Sequence, residues 1–127
     1  MRQHWVMDYE TLSNCFLGVF QDVKSDDTRV FVISTMQNDL EDFLDFLEHN
    51  IQLDEWHVSF NGLGFDGQIT EYILRNADQL REMFSREHII KTIRYNLINF
   101  FLCSDCFTMM NRHIFNIGPI HTILYPF

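Results

Sequence analysis

The strongest constraint on the fold is a change in the spacing of apolar residues part-way along the chain. Before the change, apolar residues cluster or alternate in three short segments, and we predict β-strands at 4–9, 15–20 and 29–34. The polar stretch DVKSDDT between the second and third segments is typical of a hairpin turn. The three strands are therefore expected to form an antiparallel meander.

After the third strand, apolar residues recur at the spacing of a helix. The segment QNDLEDFLDFLEHN predicts an amphipathic helix with Thr35 or Asn38 as its cap. A fourth strand is predicted at 56–61, followed by helices at 66–76 and near 77–86. Because a strand reached through a crossover helix is usually parallel to its neighbour, we expect an α/β fold with a mixed sheet and flanking helices. The apolar face of the first helix comprises Leu40, Phe43, Leu44, Leu47 and Ile51.

Composition limits the class of protein. With 127 residues, 46% of them hydrophobic and 21% charged, the chain is expected to form one soluble domain. The most apolar stretch, 95–110, is interrupted by polar residues, so no membrane partner is expected. No basic leader followed by an apolar block opens the chain, which favours a cytoplasmic location. In that compartment Cys15, Cys103 and Cys106 are expected to be reduced.

The net charge of −9 is unevenly distributed. Residues 1–66 carry 13 acidic and 3 basic residues, a net charge of −10. Such a surface argues against binding nucleic acid through its phosphates, unless bound divalent cations reverse the local charge.

The segment VMDYETL places Asp8 and Glu10 two positions apart in the first predicted strand. Residues i and i+2 of a strand point to the same side, so the two carboxylates need a counter-charge, for which Mg²⁺ or Mn²⁺ suits oxygen ligands. The alternative is a wet strand end with solvated acids. A D-x-E triplet is expected by chance about 0.6 times in this composition. The second copy, Asp39 and Glu41, falls at the helix, where residues two apart diverge by about 200°.

The segment NGLGFD, residues 61–66, lies in the turn between the fourth strand and the next helix. Asn61, Phe65 and Asp66 in this spacing are expected by chance about 0.08 times. Ligands of open α/β sheets collect at such turns. Asp66 is thus either a ligand of the same site or an N-cap, and Phe65 either a binding or a core residue.

Together the two motifs, DYET at 8–11 and FNGLGFDGQITEYILRN at 60–76, resemble the first two motifs of the 3′-to-5′ proofreading exonuclease domain of DNA polymerases. That domain belongs to the DEDD exonucleases of the ribonuclease H-like fold, and the family B type of protein-primed viral polymerases is the most similar. The resemblance covers residues 4–76. It implies an exonuclease-like domain at 1–94. The apolar C-terminal segment at 95–127 is unlike the family, and the fold is expected to be incomplete at its C-terminus.

The resemblance also implies a function and its residues. Asp8, Glu10 and Asp66 are expected to be catalytic ligands of two Mg²⁺ or Mn²⁺ ions. Thr11, Asn61 and Phe65 are expected to contact the 3′ end of single-stranded DNA, and Phe65 to pack against unstacked bases. The expected partner is a polymerase domain in the full-length protein, and the expected location of a viral protein is the host cytoplasm.

The sequence also departs from the family in its fourth motif. The family has a fourth carboxylate in a Tyr-x-x-x-Asp or His-x-x-x-x-Asp motif, and no such motif follows Asp66. Asp105 has Phe101 where the Tyr should stand, and Tyr95 is followed by Asn99. An inactive exonuclease-like fragment, or an acidic module that binds a protein partner, is therefore the alternative. The basic residues Arg75, Arg81, Arg86, Lys91 and Arg94 either contact phosphates or form a solvated helix face.

Overall fold

The computed structural model describes residues 3–59, 66–83, 85–102 and 122–124. Strands and helices follow one another in the order that the sequence predicts through residue 82. The elements are β1 (Trp5–Thr11), β2 (Cys15–Asp22), β3 (Thr28–Ser34), α1 (Leu40–Gln52), β4 (His57–Ser59), α2 (Gly67–Arg75), α3 (Ala77–Glu82), α4 (Arg86–Leu102) and β5 (Thr122–Leu124).

The strands form a mixed sheet. Its four main strands lie in the order β3-β2-β1-β4, and β5 adds a short strand beside β4. β1, β2 and β3 pair antiparallel, whereas β4 is parallel to β1. The predicted meander and the predicted parallel strand are both confirmed, and the protein is an α/β protein with flanking helices.

Alternation along β1 separates the core from the acidic side chains. Trp5, Met7 and Tyr9 are buried, whereas Asp8 and Glu10 point to the opposite, exposed side. The prediction that the two carboxylates share one side of the strand is therefore confirmed. Helices α1, α2 and α4 bury their apolar residues against the Tyr9 side of the sheet, in one cluster that includes Phe43, Leu44, Leu47, Ile69, Ile73, Ile89, Ile90 and Ile93.

The residue at the N-cap position of α1 is not one of the two predicted candidates. Asp39 occupies the N-cap position without a capping hydrogen bond from its side chain. Its carboxylate instead accepts the backbone N–H of Val32 at 2.9 Å, while Asn38 Oδ1 accepts the N–H of Leu40 at 3.3 Å. Asp39 thus connects β3 to the start of α1. This contact gives the first residue of the second D-x-E copy a structural role.

Strand β4 begins one residue later than predicted, at His57, and buries the side that the sequence predicts to be exposed. Its register with β1 sets His57 beside Trp5 and Val58 beside Val6, so His57 and Ser59 are buried and Val58 lies on the outer side. His57 is accommodated because its ring stacks on Phe46 and its Nε2 lies 2.8 Å from the Asn50 amide.

The C-terminal elements bear on two further predictions. α4 runs without a break across residue 94, where the sequence suggests a division, and that division stays a prediction. Among the described ranges, no helix has the length and apolar character needed to cross a membrane.

Candidate functional site

The exposed side of β1 presents the two carboxylates of the first motif. Asp8 lies opposite Val19 on β2, and Glu10 lies opposite Leu17. Both acids are exposed, and their cross-strand neighbours are aliphatic and offer no hydrogen bond or counter-charge. The strand therefore holds two acids side by side at the surface, available to a cation from solvent.

Asp66 reaches the same strand from the other motif. It has helical backbone angles, φ −64° and ψ −42°, and its side chain does not cap α2. Its Oδ1 instead accepts the backbone N–H of Tyr9 at 3.1 Å. The described pairing of β4 with β1 joins Trp5 to His57 and Val6 to Val58, and the carboxyl of Asp66 accepts an N–H two residues beyond Met7 along β1. The alternative in which the Asp66 side chain caps α2 is wrong, because that carboxyl makes no capping hydrogen bond and accepts the N–H of Tyr9 instead.

Burial dominates the electrostatics of Asp66. Only 3% of the residue is exposed. Burial raises the pKa of its carboxyl to about 6, and the nearby charge of Asp8 raises that pKa further, whereas the N–H of Tyr9 and the Ser59 hydroxyl lower it. Asp8 and Asp66 are therefore close enough to repel each other when both are ionised. A bound cation would relieve both the burial cost and the repulsion.

Ser59 is a polar residue that the sequence does not single out. Its Oγ is buried and has no partner in hydrogen-bonding geometry among the described residues, although it lies near enough to Asp66 to lower the pKa of that carboxyl. It stands at the end of β4, directly before the turn that carries the second motif. In the sequence, the only indication that Ser59 lies near Asp66 is its position two residues ahead of Asn61.

Tyr9 connects the strand to α2 a second time. Its Oη lies 2.7 Å from Oγ1 of Thr70, and both residues are buried. Burial raises the pKa of the phenol well above its ordinary range, so Tyr9 keeps its proton at neutral pH. Neither Tyr9 nor Thr70 is a candidate in the sequence, because their pairing depends on how α2 docks on β1.

The structure brings the three predicted metal ligands, Asp8, Glu10 and Asp66, only partly together. Asp8 interacts with Asp66, and Glu10 shares its side of β1 with Asp8. In the described part of the chain, no group of three or more His, Cys, Asp or Glu side chains is arranged to hold a metal ion. The donor chemistry suits a hard cation, since carboxylate oxygens are the ligands that Mg²⁺ and Mn²⁺ prefer. The three-ligand site stays a prediction.

The predicted substrate contacts are described only in part. Thr11 is half-buried at the end of β1, next to Glu10. Asn61, Phe65 and Asp105 lie outside the described residues.

No family model, curated protein or solved structure matches this chain. Function must therefore be inferred from these side chains and from the sequence motifs.

Three of the basic residues that the sequence singles out are engaged within the chain. Arg75 pairs with Glu71 at 2.6 Å, and Arg86 donates to the carbonyl oxygen of Thr35 at 2.8 Å. Arg81 lies within 4 Å of four carboxylates, which belong to Glu41, Asp45, Glu48 and Asp78. These contacts within the chain favour the interpretation as helix-surface residues over phosphate binding. The ion pair with Arg81 also gives Glu41, of the second D-x-E copy, a structural role.

Proposed function

We propose that the chain is the 3′-to-5′ exonuclease portion of a DNA polymerase, with a ribonuclease H-like fold. It hydrolyses phosphodiesters at single-stranded DNA 3′ ends with two Mg²⁺ or Mn²⁺ ions. The observation that carries the proposal is the hydrogen bond from the Tyr9 backbone N–H to Asp66, which places the start of α2 against β1 beside the residue that follows Asp8. The two acids come from separate motifs, and each motif is the one that the exonuclease resemblance requires.

The fold supports the proposal in two respects. An antiparallel meander with a parallel fourth strand is the sheet that the resemblance implies, and it is the sheet observed. The second D-x-E copy, by contrast, is occupied by structural contacts of Asp39 and Glu41. Asp8 and Glu10 have no such contact among the described residues, which favours them as the D-x-E pair that binds a cation.

The residues have distinct parts in the proposed reaction. Asp8 and Glu10 offer exposed carboxylates, whereas Asp66 is held in place by its burial and by the N–H of Tyr9. Thr11, Asn61 and Phe65 bind the terminal nucleotides of the unpaired strand, where bases can stack on the Phe65 ring. The ions of such a site supply an activated water and stabilise the leaving 3′ oxygen.

A second candidate is an inactive, acidic module that binds a basic protein partner. It is favoured by the missing fourth carboxylate motif after Asp66 and by the exposed acidic residues of α1, which include Asp42 and Asp45. This candidate has the same fold and differs in lacking any metal-dependent chemistry.

A nuclease assay distinguishes the two candidates. A 5′-labelled single-stranded DNA is incubated with the protein and Mn²⁺, and we expect stepwise shortening from the 3′ end. Asp8→Asn and Asp66→Asn should each slow the reaction at least a hundredfold, because ligands act as a unit. Glu41→Gln, in the second D-x-E copy, is the matched control and should retain the wild-type rate. Absence of shortening, or equal shortening by Asp8→Asn, would reject the enzyme.

A further inference from the structure

One buried hydrogen bond beside the site is unnecessary for packing. Tyr9 Oη and Thr70 Oγ1 lie 2.7 Å apart, and each residue is only 2% exposed. A phenylalanine ring would fill the same space as Tyr9, and a valine the same space as Thr70. Two hydroxyls removed from water gain little net stability from one hydrogen bond, so apolar replacements of the same shape can be nearly neutral.

The hydrogen bond between Tyr9 and Thr70 fixes the position of α2 more than it stabilises the fold. Tyr9 contacts α2 at two points, through its backbone N–H at Asp66 and through its phenol at Thr70. Asp66 and Thr70 are four residues apart, so the two points lie one helical turn apart on the same face. Two contacts fix both the distance and the orientation of the start of α2 relative to β1, which one contact alone does not.

The Tyr9 ring has little freedom to move. It packs against Phe16, Phe20 and Phe43, with ring centroids 5.3 to 5.9 Å away. Across the strand pair it lies over Gly18, where an added Cβ would stand 3.1 Å from Tyr9 Cε1. The phenol is thus a rigid support, and it stands in the sequence between the two acids of the first motif.

We propose that the Tyr9–Thr70 hydrogen bond positions Asp66 relative to Asp8 and Glu10, and so sets the spacing of the divalent-cation site. Tyr9 and Thr70 are positioning residues, since they act through Asp66 and do not touch the ions. The inference rests on the proposed function for its metal readout. The coupling of Thr70 to the Tyr9 N–H can be measured without metal.

Metal-free amide hydrogen exchange tests the coupling. In Tyr9→Phe and Thr70→Val, exchange of the residue 9 amide should accelerate about tenfold or more relative to the Trp5 amide. The Trp5 amide lies on the same strand and donates to the Trp56 carbonyl at 2.8 Å. Equal acceleration at both amides would indicate general destabilisation, and no acceleration would indicate independent contacts. Either result would overturn the proposal.

Mn²⁺ binding, measured from the electron paramagnetic resonance of free Mn²⁺, tests the consequence for the site. Substitutions of residues that orient metal ligands commonly weaken metal binding by about ten- to a hundredfold, and we expect about tenfold from each variant. The double variant should be no weaker than either single one, because both remove the same hydrogen bond. Thr70→Ser should bind within about twofold of wild type, and so should Tyr95→Phe, which removes an exposed phenol.

The outcomes separate the two proposals. If wild type does not bind Mn²⁺, the proposed function and the positioning role both fail, while a changed residue 9 exchange rate still establishes the strand-helix coupling. If wild type binds Mn²⁺ and the variants bind it equally well, the positioning role alone is rejected.

Discussion

The backbone N–H of Tyr9 donates to Oδ1 of Asp66 at 3.1 Å, across a separation of 57 residues in the sequence. The start of α2 is therefore tied directly to the backbone of β1, next to Asp8 in the sequence. A buried carboxyl in this position is costly when ionised, and Asp8 beside it increases that cost. Such a cost is expected where a site is built to bind a cation, because residues that serve function commonly reduce stability.

We predict that Asp66→Asn stabilises the metal-free protein at pH 8. The folded-state pKa of Asp66, about 6, lies above the ordinary value of 3.8, so the folded state binds the proton more tightly than the unfolded state. Its contribution to the unfolding free energy is present at low pH and is lost as the pH rises towards 6, by roughly 2 to 3 kcal/mol. Asparagine keeps the acceptor for the Tyr9 N–H without the charge.

Urea denaturation at pH 8 and at pH 4, in the presence of a chelator, measures this effect. The gain in Asp66→Asn should be roughly 1 to 3 kcal/mol at pH 8 and should shrink towards pH 4. Asp8→Asn, which removes the repulsion but not the burial, should give a smaller gain at pH 8. A less stable Asp66→Asn at pH 8 would show that the hydrogen bonds to the carboxylate outweigh its burial.

The contribution of His57 to the unfolding free energy should depend on pH in the opposite sense to that of Asp66. Burial lowers the pKa of its imidazole from 6.5 to about 4, so the folded state favours the neutral ring. Its contribution to stability is present above pH 6.5 and is lost as the pH falls towards 4, by roughly 3 kcal/mol. In the Asp66→Asn background, where the opposing contribution is removed, the unfolding free energy should fall steadily from pH 7 to pH 4.

The matched variant for this prediction is His57→Phe in the same background. A phenyl ring keeps the stacking on Phe46 and cannot be protonated. Its pH profile should therefore be flatter between pH 7 and pH 4. Parallel profiles for the two proteins would show that His57 is not the group responsible.

Gly18→Ala should destabilise the protein by about 1 kcal/mol or more, because the new methyl group overpacks the core. Its Cβ would lie 3.1 and 3.2 Å from two atoms of the Tyr9 ring, which is held by other aromatic rings. The urea midpoint measures the loss, with Gln21→Ala at an exposed position of β2 as the control. A midpoint equal to or above that of wild type would mean that the ring yields freely.

Arg81→Ala should reduce stability by less than about 1 kcal/mol, because its partners are largely exposed and well screened. The loss should shrink further in about 1 M salt, as expected for screened ion pairs between α3 and α1. The nuclease rate should stay within about twofold of wild type. A tenfold loss of rate with unchanged folding would instead assign Arg81 to phosphate binding.

Much of the fold follows from local patterns. The alternation in β1 sets Tyr9 on one side and Asp8 and Glu10 on the other, since successive strand residues point to opposite sides. The polar turn before β3 and the helical spacing after it predict the meander and α1 in the same way. These signals are local, and they depend on no partner that is distant in the sequence.

Other features depend on contacts that a local pattern does not contain. Hydrophobicity predicts Val58 in the core of β4, whereas His57 is buried there because Phe46 and Asn50 of α1 enclose it. The pairing of Tyr9 with Thr70 likewise joins residues that are 61 positions apart. The sequence could predict the candidate acids from their motifs, but it could not predict the hydrogen bonds that hold Asp66 in place.

The most direct test of the central claim is to locate bound Mn²⁺ by the paramagnetic broadening of assigned amide signals at substoichiometric metal. We predict that the amides of residues 8–11 and 66–67 broaden first, because the proposed site lies between β1 and the start of α2. The rival location is the acidic surface of α1, residues 41–48, which carries more exposed carboxylates. Broadening that begins on α1 and spares β1 would contradict the account.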